Sequence, residues 1–409
     1  MIAVAERVRT RSFTANHLAV CGLLLGALAF YVALPPISAR SAFWPALFGG
    51  LGAAIGLVAW RRGSVRLGWS SVVVGFLGAA LGYLATRSSV EHLEIVFTWP
   101  SLIAAMFVFA TPLVYAAVGG IFSERSGVVN IGLEGMMLMG AFWGIWGADA
   151  TGSWITGVLI GMASGALLGL VHSFFSVHLR ADQIIGGTAI NLLAVGITGY
   201  AFVQLYGKEN IPAGVSEIPR LKLPFLESIP PDALGDFLFG AFGRLSLMIW
   251  IGFLLVAISH VVIFKTPIGL RIRSCGEHPR AADTVGISVY GVRYAAVTLS
   301  GALAGAGGAF LSVGVVSTFN EGMTAGRGFI ALAVVIVANW RPLGALGAAC
   351  LFGFPTALAF RLGDTYRESI AGIDVLAQML PYVITLVVVA GVIGKSIPPA
   401  AVGRPYTKQ

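Results

Sequence analysis

Charge is what this sequence has least of. Asp, Glu, Lys and Arg together make up 11% of its 409 residues, where a water-soluble domain carries roughly a quarter. With 57% hydrophobic residues and a mean hydropathy of +0.87, such a chain could not cover a surface facing water. It reads as an all-α polytopic membrane protein with lipid as its main solvent. Cysteine is scarce as well. Cys21 and Cys350 lie inside apolar runs and Cys275 in a basic loop, none with a ligand spacing or a partner, which excludes a disulfide framework and a zinc site. The six histidines show no metal spacing. Nucleotide fingerprints are missing too: "GVIGKS" (391–396) ends like a phosphate-binding loop, but Val389 stands where the first glycine is required. The sequence therefore offers no catalytic, metal or cofactor site, and any ATP that drives this protein would be hydrolysed by another chain. The net charge of +8 comes from basic residues scattered between apolar runs. That excludes a nucleic-acid partner and fits the orientation rule for cytoplasmic loops.

Apolar runs long enough to cross about 30 Å of hydrocarbon fall near residues 17–36, 42–60, 67–86, 101–122, 131–148, 154–177, 184–205, 245–264, 290–313, 326–340, 343–360 and 376–394. They predict about 12 transmembrane segments. The basic N-terminal stretch leads into the first run without a small-residue cleavage site, so that run reads as a retained span. With the N-terminus inside, seventeen of the 26 Lys and Arg residues fall on the cytoplasmic side and nine outside. That is the expected bias, and it places both termini in the cytoplasm. Trp44, Trp60, Trp69, Trp99, Trp146, Trp154 and Trp340 fall at or near run ends, where an indole prefers the headgroup level. Residues 1–92 form a three-span N-terminal region whose Gly22xxxGly26 and Gly78xxxGly82 spacings let helices approach closely. Residues 93–400 form the core. It has two long connections, 207–244 outside with five prolines, and 265–289 in the cytoplasm.

The stretch "SERSGVVNIGLEGMM" (123–137) places two glutamates, an arginine, an asparagine and three glycines between two apolar runs. Glu124 and Arg125 read as a solvated turn at the water interface. Glu134 lies inside the next run, where a charge at a helix centre costs at least about 2.5–3.5 kcal/mol. Two readings stay open for it: a snorkelling or capping acid one turn into the helix, or a cavity-facing or helix-tethering acid. Gly127, Gly132 and Gly135 fit a broken helix whose freed backbone groups line a cavity or are buried in protein. "GGIFSERSGVVN" (119–130) is echoed by "GGAFLSVGVVS" (307–317) at the end of a run of opposite direction, the trace an inverted-topology repeat would leave. The second copy leads into a polar, Gly-rich stretch with two readings: Asn320, Glu321 and Arg327 face external water, or the half-helix beginning near Gly328 helps line the pathway. Asp182 reads as a first-turn acid, and Asn191 either bridges helices or contacts solute. The pathway residues expected from these arguments are Asn130, Glu134, Asn191 and Phe329. In the cytoplasmic loop, "GEHPRAADTVGI" (276–287) predicts a short helix with Pro279 in its first turn and a small-residue face. A helix of that kind suits docking into a groove on a nucleotide-binding partner.

Four separated stretches, "TPLVYAAVGGIFSERSGVVNIGLEGMMLMGAF", "ADQIIGGTAINLLA", "GEHPRAADTVGISVYGVRYAAVTLSGALAGAGGAFL" and "GRGFIALAVVIVANWRPLGALGAACLFG", together resemble the permease subunits of bacterial ABC importers of the branched-chain amino acid/ribose class. The resemblance is greatest to the branch that takes up nucleosides through a lipoprotein receptor. It implies a multi-pass subunit of the bacterial cytoplasmic membrane that translocates nucleosides or simple sugars. It also implies partners: an ABC ATPase subunit, a second homologous permease and an extracytoplasmic substrate-binding lipoprotein. The coupling pattern of the class maps onto Ala281, Ala282 and Gly286, with Glu277, Pro279 and Arg280 beside them; Arg280 stands where the class often has an acid. One other class stays open, an ion-coupled secondary transporter of a small polar solute, for which Glu134 is the strong coupling group. An integral membrane enzyme would need a His/Asp/Glu cluster, which the sequence does not show.

Overall fold

The computed structural model describes residues 2–32, 41–87, 98–207, 215–366 and 396–407, together with 378, 379 and 382. Among them there is no strand, only an isolated bridge between Arg220 and Ser246. The chain divides into two compact units, one of Met1–Leu102 with Pro355–Gly394, the other of Ile103–Phe354 with Lys395–Gln409.

The first unit holds α1 (Ile2–Tyr31), α2 (Phe43–Arg61) and α3 (Val65–Arg87). Their contacts are made by small residues, as the glycine spacings led us to expect. A Cβ on Gly26 would lie 2.7 Å from the Gly75 nitrogen, and one on Gly82 would lie 2.8 Å from the Ala29 carbonyl. Neither Gly26 nor Gly82 leaves room for a side chain.

The second unit is built around α4 (Trp99–Arg125), α5 (Leu133–Thr151), α6 (Trp154–Ser173), α7 (Gln183–Tyr206) and α12 (Val289–Ala309). Between α7 and α12 come α8 (Asp232–Phe242) in the connection predicted outside, α9 (Leu247–Lys265), and the short α10 (Pro267–Glu277) and α11 (Pro279–Thr284). After α12 come α13 (Arg327–Val337) and α14 (Pro342–Tyr366). Both α6 and α12 end in a widened π turn, Phe174–His178 and Phe310–Val316. Among the described residues eight helices are long and apolar enough to cross a membrane, so the chain is a polytopic membrane protein. Of the other expected runs, Arg327–Val337 and Ala15–Tyr31 are shorter apolar helices, and the run 376–394 lies largely outside the described residues.

The interior helix is α5. Thirteen of its nineteen residues are buried, because α6, α7 and α12 all pack on it. Close approach again rests on glycine. A Cβ on Gly161 would fall 2.7 Å from the Gly140 carbonyl, and one on Gly305 3.2 Å from the Gly165 Cα. Packing of this kind substitutes for the hydrophobic effect, which has no purchase between helices in lipid. Gly305→Val is therefore expected to destabilise the protein by about 1–3 kcal/mol or more through overpacking. Thermal unfolding of the detergent-solubilised variant measures it.

A broken helix held at mid-depth

Ser123 decides where α4 stops. Its hydroxyl donates to the Val128 carbonyl (2.7 Å), and the Val128 N–H donates back to the Ser123 carbonyl (3.2 Å). The turn needs Gly127 at φ +99°, a conformation costly for any residue with a Cβ. The last helical bond runs from the Ser126 N–H to the Phe122 carbonyl (3.2 Å), and the chain then continues outside any helix to the start of α5.

That segment climbs into the bundle. The carbonyl of Ser126 accepts from Arg293 Nε, and Asn130 Nδ2 donates to Ser300 Oγ at 2.9 Å. Arg293 and Ser300 are seven residues apart on α12, about 10 Å along a helix. The helix and its π turn run for 28 residues, Val289–Val316, so Asn130 lies well inside the span. Exposed non-helical backbone is not tolerated in hydrocarbon, and three neighbouring helices supply its partners. From α6, His172 Nε2 donates to the Val129 carbonyl at 2.9 Å. From α7, Gln183 Oε1 accepts from the Val129 N–H at 2.7 Å. Also on α7, Asn191 accepts from the Gly135 N–H (2.8 Å) and donates to the Ile131 carbonyl (3.0 Å). Asn191 is thus the helix bridge of its two readings. Asn191→Ala would leave a buried N–H and a buried carbonyl unpaired, at about 1–3 kcal/mol each. A lowered unfolding temperature with the overall helix content kept is the expected result. Asp182, the expected first-turn acid, caps α7 through the N–H groups of Ile184 (2.8 Å) and Ile185 (3.0 Å).

Glu134 is a tether. Its two carboxylate oxygens accept from the N–H of Gly326 (2.8 Å) and of Gly328 (2.6 Å), the cap and second residue of α13. The N-terminus of this 11-residue half-helix is thereby fixed against the first turn of α5, and its positive dipole end faces a carboxylate. Gly326 adopts φ +79°, and a Cβ on Gly328 would strike the Glu134 backbone. Phe329 stands apart from this cluster, 49% exposed on the outer face of α13.

Two expectations need correction. Glu124 and Arg125 are not a solvated turn: Glu124 is 7% exposed and accepts from the Trp340 indole N–H. Arg125 Nε donates to the Trp340 carbonyl (3.2 Å), and its guanidinium lies over Phe264 at 5.6 Å. The reason is the left-handed turn at Asn339 and Trp340 (φ +53° each), whose free groups the pair satisfies. Trp340 is accordingly buried in protein rather than exposed to headgroups.

At the Arg293 end of α12 lie α10 and α11. Pro279 opens α11, as its fixed φ favours. Arg280, Ala281 and Gly286 (φ +81°) are exposed, whereas Ala282 is turned inward against Cys275, Val289 and Tyr406. The carboxylate of Glu277 accepts from the Ala400 N–H at 3.1 Å. Burial pushes the Cys275 thiol up from its usual pKa. Among the described residues no group of three His, Cys, Asp or Glu side chains could hold a metal ion.

Sequence reasoning missed His172, Gln183, Ser300 and Arg293 as supports of the broken segment. Each is a lone polar residue in or at the end of an apolar run, which was the available signal.

Interrupted, hydrogen-bonded backbone sheltered within a glycine-packed bundle is the architecture of a membrane permease. The chain belongs to the family described as branched-chain amino acid transport system / permease component, which it matches over residues 102–393; residues 1–101 lie outside that match. It is a transport subunit and not an enzyme. It is 41% identical over 323 residues to the guanosine ABC transporter permease protein NupQ of Bacillus subtilis, covering 77% of this chain and 99% of NupQ. The nucleoside ABC transporter permease protein NupC of Lactococcus lactis is 38% identical over 77% of this chain and 99% of its own length. The putative glucose ABC transporter permease protein TsgC13 of Haloferax volcanii is 37% identical over 62% of this chain and 74% of its own. No solved structure matches.

Proposed function

We propose that this chain is one membrane half of an ATP-driven importer of uncharged polar solutes, nucleosides before simple sugars. The observation that carries this is the engagement of the Glu134 carboxylate at the end of the broken backbone. Because Glu134 is held by two N–H groups of α13, the helix end that would attract an anionic solute is already neutralised. What remains for a solute is neutral: Asn130 Oδ1, His172 Nδ1 and Gln183 Nε2 have no partner among the described residues. These are two acceptors and a donor, and buried polar groups left unpaired are costly. Hydroxyls and ring nitrogens would match them as the segment opens. Similarity to guanosine and nucleoside permeases over 77% of the chain, against 62% for the glucose protein, supports the order of substrates.

In this scheme the α10–α11 end faces the cytoplasm of a bacterial cell and α11 docks on a separate ATPase subunit. A second permease and a substrate-binding lipoprotein complete the importer. Residues 1–92 are additional to its core. The like placement of 119–130 and 307–317, each leading from a long helix into non-helical backbone, supports an inverted repeat within about twelve crossings. The substrate class is tested by competition in proteoliposomes holding all subunits. Adenosine is expected to compete with labelled guanosine, and leucine not to compete even in hundredfold excess. Leucine uptake with guanosine excluded would overturn the assignment.

A further inference from the structure

The segment 396–407 threads between the parts of the second unit at the α10–α11 end. The N–H of Ile397 donates to Asn339 Oδ1 (3.1 Å), that of Ala401 to the Gly276 carbonyl (2.8 Å), and that of Gly403 to the Gly127 carbonyl (3.2 Å). With the Ala400–Glu277 bond already described, this one segment fastens the end of α10, the turn after α4 and the turn before α14. Tyr406 closes it. Its ring is buried in the cluster beneath Ala282 of α11 and lies 5.6 Å from the ring of Tyr290, whose hydroxyl donates to the Tyr406 carbonyl at 3.4 Å.

Arg293 lies behind the segment. It is 1% exposed, and donates from Nε to the Ser126 carbonyl and from Nη1 to the Arg404 carbonyl, both at 3.1 Å. Its Nη2 has no partner among the described residues. A buried guanidinium held only by neutral carbonyls is expensive to keep, and a packing role alone would be met by an apolar side chain. What the guanidinium does that an apolar residue could not is hold two separate backbones at once. One leads through Ser126 and Gly127 into the broken segment; the other leads through Gly403 and Ala401 to α10. On the far side Gly276 is pressed onto the Arg125 carbonyl so closely that no Cβ would fit. A six-residue helix such as α11 has little rigidity of its own, and Tyr406 supplies the floor on which it rests.

We infer that residues 396–407 and Arg293 form a strap that transmits displacement of α10 and α11 to the broken backbone at 126–132, with Arg293 and Tyr406 as positioning residues for coupling. This rests on the docking role proposed for α11. Coupling carried by such a network requires evidence beyond adjacency, and two measurements supply it.

The first is solute moved per ATP hydrolysed by the complete importer in proteoliposomes. Tyr406→Ala and Arg293→Gln are each expected to lower this ratio at least fivefold while ATP hydrolysis stays within twofold of wild type; Tyr406→Phe, which keeps the ring, restores it. A purely structural role would reduce the amount of assembled protein and leave the ratio unchanged, and an unchanged ratio in Tyr406→Ala overturns the inference.

The second measurement does not depend on transport, nor on Arg293→Gln folding. In a Cys21→Ser/Cys350→Ala background, Cys275 beneath the strap is the remaining thiol. Its labelling by a small maleimide is expected to be slow in the otherwise wild-type chain and at least tenfold faster in Tyr406→Ala. Equal rates overturn the strap. If the wild-type assembly shows no ATP-dependent uptake, it is the docking role that fails, while the labelling still reports on the strap.

Discussion

Replacing Glu134 by alanine is expected to lower solute uptake at least tenfold in a protein that still inserts and keeps its helix content. Two hydrogen bonds from backbone N–H groups to a carboxylate contribute about 1.5–3 kcal/mol each. Because Glu134 is partly exposed, the lower end of that range applies. Even so, losing both shifts the balance between a docked and a released α13 by on the order of a hundredfold. Glu134→Gln is expected to recover little. An amide has one acceptor oxygen, and its NH2 group would face one of the two N–H donors of Gly326 and Gly328. Glu134→Asp is a methylene shorter and is expected to fall between. Uptake in proteoliposomes, normalised to reconstituted protein, distinguishes the three. Wild-type uptake in Glu134→Ala would show that α13 needs no tether.

The second large effect is expected at α11. Ala281→Arg should abolish coupled uptake, by tenfold or more, while the protein inserts normally and its bundle unfolds at the wild-type temperature. The residue is exposed on a short helix opened by Pro279, so in the proposed docking mode a long charged side chain there would meet the ATPase groove rather than the buried interior of this chain. Ala282→Arg is a different experiment. Ala282 is buried against Cys275, Val289 and Tyr406, and a guanidinium forced into that cluster would disturb α11 itself. Co-purification of the ATPase with each variant separates the outcomes. Full retention of the ATPase and of uptake in Ala281→Arg would remove α11 from the interface.

Most of the helical framework was legible because lipid imposes a simple rule: about twenty apolar residues with little charge. Eleven of the twelve expected runs coincide with helices α1–α7, α9 and α12–α14. The rule stops where helices are interrupted. Residues 326–340 read as a span, yet α13 has only 11 residues: the left-handed turn at Asn339 and Trp340 ends it early, and its N-terminus is held by a carboxylate 192 positions away in sequence, neither of which apolarity records. The broken segment announced itself through Gly127, Gly132 and Gly135, whereas its supports did not. His172 lies inside one apolar run and Gln183 beside the start of the next, and Ser300 is one small hydroxyl in a run rich in Gly and Ala. Nothing local shows that they converge on Val129 and Asn130. Glu124 and Arg125 misled for a related reason. A charged pair at a helix end is usually solvated, and only the left-handed turn at Asn339–Trp340 makes burying it favourable.

The most direct measurement is uptake of labelled guanosine into proteoliposomes made with the purified chain alone, with an imposed proton or sodium gradient, and with the complete set of ATPase, second permease and receptor. Uptake is expected only in the complete set and only with hydrolysable ATP. Gradient-driven uptake by the chain alone would contradict a solute pathway of sheltered broken backbone powered by a separate motor.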